Sequence, residues 1–348
     1  MSDLPATQAP PTQANDDSPF AEAFEQTIFA VSPVGTFATS IAIFLVLMSL
    51  FEMTALMARY PLADQLRLSP QEGGWQAIIL SLITAVALGM QRYVRLKDSE
   101  DDAALSRLLT GGSASFGATQ AVARGKLLWI GTGGAALGLA IAFMAVPTAV
   151  QTQHLPVFVW FGLTMSLLGA LFARGAVMTR RGTRDFAELV DRHLKVDLLR
   201  VDELNVIGRS SARVSLIWLS VAAVVCLFFA SGQTPLLVIA IIAFSAGMAL
   251  WIFFRSLERV HNKIRQTKLA ELDRVRHEIA QLRSQAAHDH TAAAGLHGLL
   301  AYETRIAAVH EWPFDQSTLL RVGVYVLIPA APAIGQALMR YFVEHVSL

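Results

Sequence analysis

The first pattern with chemical meaning is Gly131-Thr132-Gly133-Gly134-Ala135-Ala136, the Gly-x-Gly-x-x-Ala turn that cradles a dinucleotide pyrophosphate. That chemistry needs a strand before the glycines, a soluble helix after them and an acidic residue about 20 positions on. Here the glycines lie inside an unbroken apolar run, and the next acid is Asp185. The match is accidental. Gly134 and Gly138 stand four apart, so they bare one edge of a helix and let a neighbour approach closely. They are read as a helix-packing pair.

Glu52 is the one carboxylate inside an apolar run long enough to cross a bilayer. A charge at that depth is costly and often marks an ion or proton path. In a channel or secondary transporter, Glu52 would stand near the pathway. It is also six residues from the end of its run at Ala58, about 9 Å along a helix, within reach of the interface. Arg174 and Arg321 could likewise face a pore, but both sit at run ends where arginine routinely snorkels to the headgroups.

Six of the nine histidines fall between His261 and His310, and His288 and His290 flank Asp289. Residues two apart on a helix do not face each other, so chelation there needs an extended turn. Polar turn chemistry accounts for the pair. His277-Glu278 and His310-Glu311 lack the second histidine of a zinc helix, and neither Gly-x-Ser-x-Gly nor a phosphate-loop Gly-Lys-Ser/Thr occurs. The lone Cys226 forms no internal disulfide or zinc pair. The expectation is no metal, no cofactor and no enzyme.

The elements that carry these residues are read from composition. The 348 residues are 54% apolar and 16% charged, against roughly 25% charged in a soluble domain. Their mean hydropathy is +0.47. A net charge of +1 supplies no field for nucleic acid, which is excluded as a partner. The partner implied is the lipid bilayer. Seven apolar runs have spanning length: 35–58, 73–90, 127–150, 155–173, 214–232, 235–254 and 322–339. Pro329 and Pro332 interrupt the last, which is drawn as a seventh helix over 318–342. The fold class is all-α, a polytopic transmembrane bundle of about seven spans with a cytoplasmic helical hairpin or coiled coil.

Basic residues orient the runs. Segments 92–126, 174–213 and 255–321 hold six, nine and ten Lys/Arg, and only Arg59, Arg67 and Arg340 lie elsewhere. Those segments are alternate connections, so they share a side, and basic loops are retained in the cytoplasm. An inner-membrane protein follows, with a cytoplasmic N-terminus and a periplasmic C-terminus. Trp75, Trp129, Trp160, Trp218, Trp251 and Trp312 fall near run ends, as expected for rings that favour the headgroup boundary.

Residues 1–19, rich in Pro, Gln, Ala and Asp without Lys or Arg, read as a disordered tail. Residues 20–33 follow as an amphipathic helix with Phe20, Phe24 and Ile28 on one edge. Ser99 and Asp102 have the spacing of a helix cap in the first basic connection. Phe186, Leu189, Val190, Leu194 and Leu198 make an amphipathic helix in the second.

The third connection, 255–315, is the hairpin. From Trp251 to Ala287 no proline or glycine interrupts the chain, so the sixth run can continue outward as one helix. Leu257, Val260, Ile264, Leu272, Val275, Ile279 and Leu282 follow a heptad pattern with a slip near Lys268. Leu257, Ile264, Leu272, Ile279 and Leu282 are the expected contact with a second copy or a cytoplasmic protein. The competing expectation is that this stripe packs only on the returning arm of Leu296, Leu299, Leu300, Ile306 and Val309.

Overall fold

A computed structural model describes residues 28–29, 32, 34–60, 73–108, 124–194, 196–231, 236–285, 290–312 and 323–324. Among these, regular structure is helical. The helices are α1 (Thr36–Met57), α2 (Gly73–Leu108), α3 (Arg124–Ala145), α4 (Thr148–Gln153), α5 (Leu155–His193), α6 (Asn205–Val225), α7 (Leu236–Gln285) and α8 (His290–Ala307). Short 3₁₀ turns at Val201–Leu204 and Cys226–Ser231 flank α6. Six of these, α1, α2, α3, α5, α6 and α7, are long and apolar enough to cross a membrane. The chain is a multi-pass membrane protein. The tail at 1–19, most of 20–33 and almost all of the seventh run lie outside the described residues.

Helix length sets the architecture. At 1.5 Å per residue, the 36, 39 and 50 residues of α2, α5 and α7 reach about 54, 58 and 75 Å. A hydrocarbon core is about 30 Å thick. Each helix therefore crosses with its apolar part and continues outside with its charged part. Two expectations are corrected here. Ser99 caps no separate helix, because α2 runs through it and its hydroxyl donates to the Leu96 carbonyl at 2.8 Å. The amphipathic stretch 186–198 is no independent helix up to residue 193 either; it is the outer part of α5. In both stretches nothing comparable to proline breaks the hydrogen-bond ladder.

Two cores result. In the membrane part, Phe51, Ile79, Val157 and Phe161 are buried together, and Phe51 meets Trp160 and Phe161 edge-on at 5.1 and 6.1 Å. Lipid offers no hydrophobic advantage for such contacts, so they rest on close packing. The closest is α3 on α5. A Cβ at Gly138 would strike the Met165 carbonyl, and one at Gly134 would lie 2.6 Å from the Ala173 Cβ. The second core gathers Val190, Leu194, Leu204, Ile207, Val260, Ile264, Val275 and Ile306 from the outer parts of α5, α6, α7 and α8. There water is the solvent, and each buried aliphatic side chain contributes about 1.5–3 kcal/mol.

The end of the bundle away from the basic segments is fastened by polar atoms. His154 Nδ1 lies 3.2 Å from the Ala58 carbonyl, the Tyr60 ring meets His154 edge-on, and the Gly73 amide donates to the Tyr60 hydroxyl at 3.3 Å. The tryptophans divide by burial. Trp129, Trp251 and Trp312 are exposed, whereas Trp160 and Trp218 are buried in the bundle. The Trp160 indole donates to the Leu47 carbonyl at 3.2 Å, which satisfies its N–H inside the bundle. The run expected over 127–150 breaks at Pro147, where α3 gives way to α4.

Candidate functional site

Four helices change from apolar to charged at one level, and a cavity of about 170 Å³ opens between them. From α2 it is lined by Gln91, Arg95 and Asp98, from α5 by Arg174, Thr179 and Thr183, from α6 by Ser210 and Ser211, and from α7 by Ser256. Its inner end is apolar, with Leu168, Leu171, Phe172, Trp218, Val221 and Ile252. Helical periodicity produces this gradient. Arg95 lies four residues after Gln91, and Ser210 and Ser211 lie one turn or less before the apolar run that starts at Val214.

An ionic clamp adjoins the cavity at Asp98 and Ser210. Arg213 Nη2 on α6 lies 2.5 Å from Asp101 and 3.3 Å from Asp98 on α2, and Ser210 Oγ donates to Asp98 at 2.9 Å. Arg213, Asp98 and Asp101 are mostly buried, so each charge relies on the others for solvation. Opposite, the Arg174 stem crosses α3 where Gly131 has no side chain; a Cβ there would sit 3.2 Å from Arg174 Cδ.

The second feature is the outer part of α7 with α8 returning along it. Lys268 donates to the Val309 carbonyl at 2.8 Å, Tyr302 to Glu271 at 3.0 Å, and Arg276 to Glu303 at 2.7 Å. Where α8 ends, His261 stacks on Trp312 with ring centroids 4.3 Å apart. The Glu271 carboxyl is held below its ordinary range by the Arg274 guanidinium, helped by the Tyr302 hydroxyl. Tyr302 is pushed up by burial and by Glu271.

The residues singled out from sequence fall as follows. Gly134 and Gly138 lie at the α3–α5 contact. Glu52 is exposed on the outer surface of α1 and does not line the cavity. Leu257, Ile264 and Leu272 are buried inside the chain's own cores, and Ile279 packs against the second of them. Leu282 is half-buried beside Gly295 of α8. This stripe therefore faces inward in the single chain, because α5, α6 and α8 together cover what a single returning arm would leave bare. His288 and Asp289 lie outside the described residues. Among the described residues no three His, Cys, Asp or Glu side chains gather as a metal set.

Sequence reasoning missed the cavity. Its signal was that Arg95, Asp98, Arg174 and Ser210 all fall just outside the ends of three apolar runs on the basic side, which becomes meaningful only once the helices are placed side by side. No family model, curated protein or solved structure matches the chain.

Proposed function

We propose that this protein is a non-catalytic assembly element of the cell inner membrane, with its basic segments in the cytoplasm, and that it pairs with a second copy through the outer face of the α7–α8 hairpin. The carrying observation is that α7 is one 50-residue helix whose apolar stripe is consumed by its own chain. The hairpin is thereby a braced rod rather than a loose arm. What it presents outward is a surface of both signs, including Arg265, Asp273, Arg276 and Arg283, with Leu269 and Leu300 exposed at 51% and 44%. A surface of mixed sign can complement itself across a two-fold axis.

The test is the mass of the full chain purified in detergent, compared with Leu269→Asp plus Leu300→Asp. The expected result is a dimer that becomes a monomer in the variant with its melting temperature kept. A monomeric parent chain overturns the pairing. A variant dimer as stable as the parent's overturns the hairpin as its site.

A further inference from the structure

We infer that the cavity between α2, α5, α6 and α7 holds the phosphate of an anionic phospholipid, with the beginning of an acyl chain in its apolar inner end. Its level comes first. Gln91, Arg174, Ser211 and Ser256 each stand within about one turn of the boundary between the apolar and charged parts of their helices. The cavity therefore lies where headgroups meet hydrocarbon on the basic side of the membrane.

Its polarity follows the same axis. Phe172, Trp218, Val221 and Ile252 line the inner end, while Arg95, Thr179, Thr183 and Ser210 line the outer one beside Phe186 and Leu189. A soluble anion would have no use for the first group, and a plain hydrocarbon chain none for the second. An amphiphile uses both.

Charge selects the head. The lining holds two guanidinium groups, Arg95 and Arg174, against one carboxylate, Asp98. Counted together, two guanidiniums and one carboxylate leave the lining net positive, which favours an anion, and the planar guanidinium fork matches phosphate oxygens. Arginines at span ends commonly snorkel on the lipid face, but these two, from different helices, line one cavity. Volume bounds the ligand. At about 170 Å³ the cavity falls below the roughly 300–1,000 Å³ of sites that enclose a drug-sized molecule. It suits one headgroup with the adjoining part of a chain, the remainder lying in the bilayer.

The experiment uses the full chain, delipidated in neutral detergent and titrated separately with phosphatidylglycerol, phosphatidylcholine and glycerol phosphate, with bound species counted by native mass spectrometry. One phosphatidylglycerol per chain is expected, at least tenfold tighter than phosphatidylcholine, with a tenfold or greater loss in Arg95→Gln plus Arg174→Gln. Arg180→Gln plus Arg181→Gln, whose positions do not line the cavity, should leave binding unchanged. Equal retention by the cavity variant and the parent overturns the site. Glycerol phosphate binding as tightly as the lipid overturns the lipid as its source. Should the cavity variant fail to fold, a phosphatidylglycerol with a photoreactive chain is applied to the unaltered protein. Labelling of peptides 168–175 and 214–221 supports the site, and labelling confined to other peptides overturns it.

Discussion

Arg213 on α6 reaches Asp101 and Asp98 on α2 with one guanidinium nitrogen, at 2.5 and 3.3 Å. Asp98 and Asp101 are three residues apart and so share a face of α2. The pairing fixes the register of two spanning helices just beyond their apolar parts and reaches the cavity's lining through Asp98. Truncating Arg213 leaves two mostly buried carboxylates facing each other. Arg213→Ala should cost about 1–3 kcal/mol, less than a fully buried pair because water reaches its edge. Arg209, 60% exposed and 3.8 Å from Asp101, should change stability by under about 0.5 kcal/mol when made alanine. Thermal unfolding in detergent checks both, and equal effects would mean that the clamp has no special role.

Ile264 has no exposed surface in the second core, whereas Leu269 is half-exposed. They are five residues apart on α7, similar in chemistry and opposite in surroundings. Ile264→Ala should destabilise by about 2–5 kcal/mol, and Leu269→Ala should stay within about 0.5 kcal/mol. Chemical denaturation of the detergent-solubilised chain measures the difference. A mild Ile264 variant would show that this core is not packed as described.

Six spanning elements were legible in the amino-acid order because apolar runs of this length have few alternatives. The uninterrupted α7 was legible too, from the lack of proline and glycine after Trp251. What periodicity could not tell was the identity of the neighbour. The stripe at Leu257, Ile264 and Leu272 demands cover, but a heptad reads the same whether the cover is another chain or α5, α6 and α8. Trp160 shows the same limit, since an indole near a run end is equally compatible with headgroups or with a carbonyl acceptor inside the bundle. The cavity is a relation among four helices, and no local window contains it.

Acid should loosen the α7–α8 pairing. Arg274, and secondarily Tyr302, hold Glu271 below its ordinary 4.5. A carboxyl depressed in the folded state stabilises it fully above its unfolded value, and that contribution fades as pH falls through the lower folded one. Stability should be flat from neutrality to about pH 5, then decline as Glu271 protonates. Glu271→Gln should flatten part of that decline while leaving neutral-pH stability only slightly lower, because water still reaches the partly exposed group. Melting temperature against pH for the two chains gives the comparison. Identical acid limbs would remove Glu271 from the account.

Close approach of α3 and α5 leaves no room at Gly138, whose added Cβ would meet the Met165 carbonyl, a backbone atom that cannot rotate away. Gly138→Val should therefore separate these helices and lower the melting temperature markedly. Gly133, with open space around it, should accept alanine without loss. A reversal of this order, seen in detergent melts, would place the helix contact elsewhere.

Orientation is testable with little background, because the chain's single cysteine, Cys226, is buried. Gln153 ends α4 and is exposed, and Arg283 is exposed near the far end of α7. The orientation proposed from the excess of Lys and Arg on one side of the runs predicts Arg283 in the cytoplasm and Gln153 outside. A membrane-impermeant maleimide should label Gln153→Cys in intact cells, and Arg283→Cys only after permeabilisation. Their separation along the fold makes the outcome unambiguous, since α7 carries Arg283 about 40 Å past Ser256, at the cavity's level, by helical rise. Labelling of Arg283→Cys from outside would invert the topology, and with it the leaflet from which the cavity could draw its lipid.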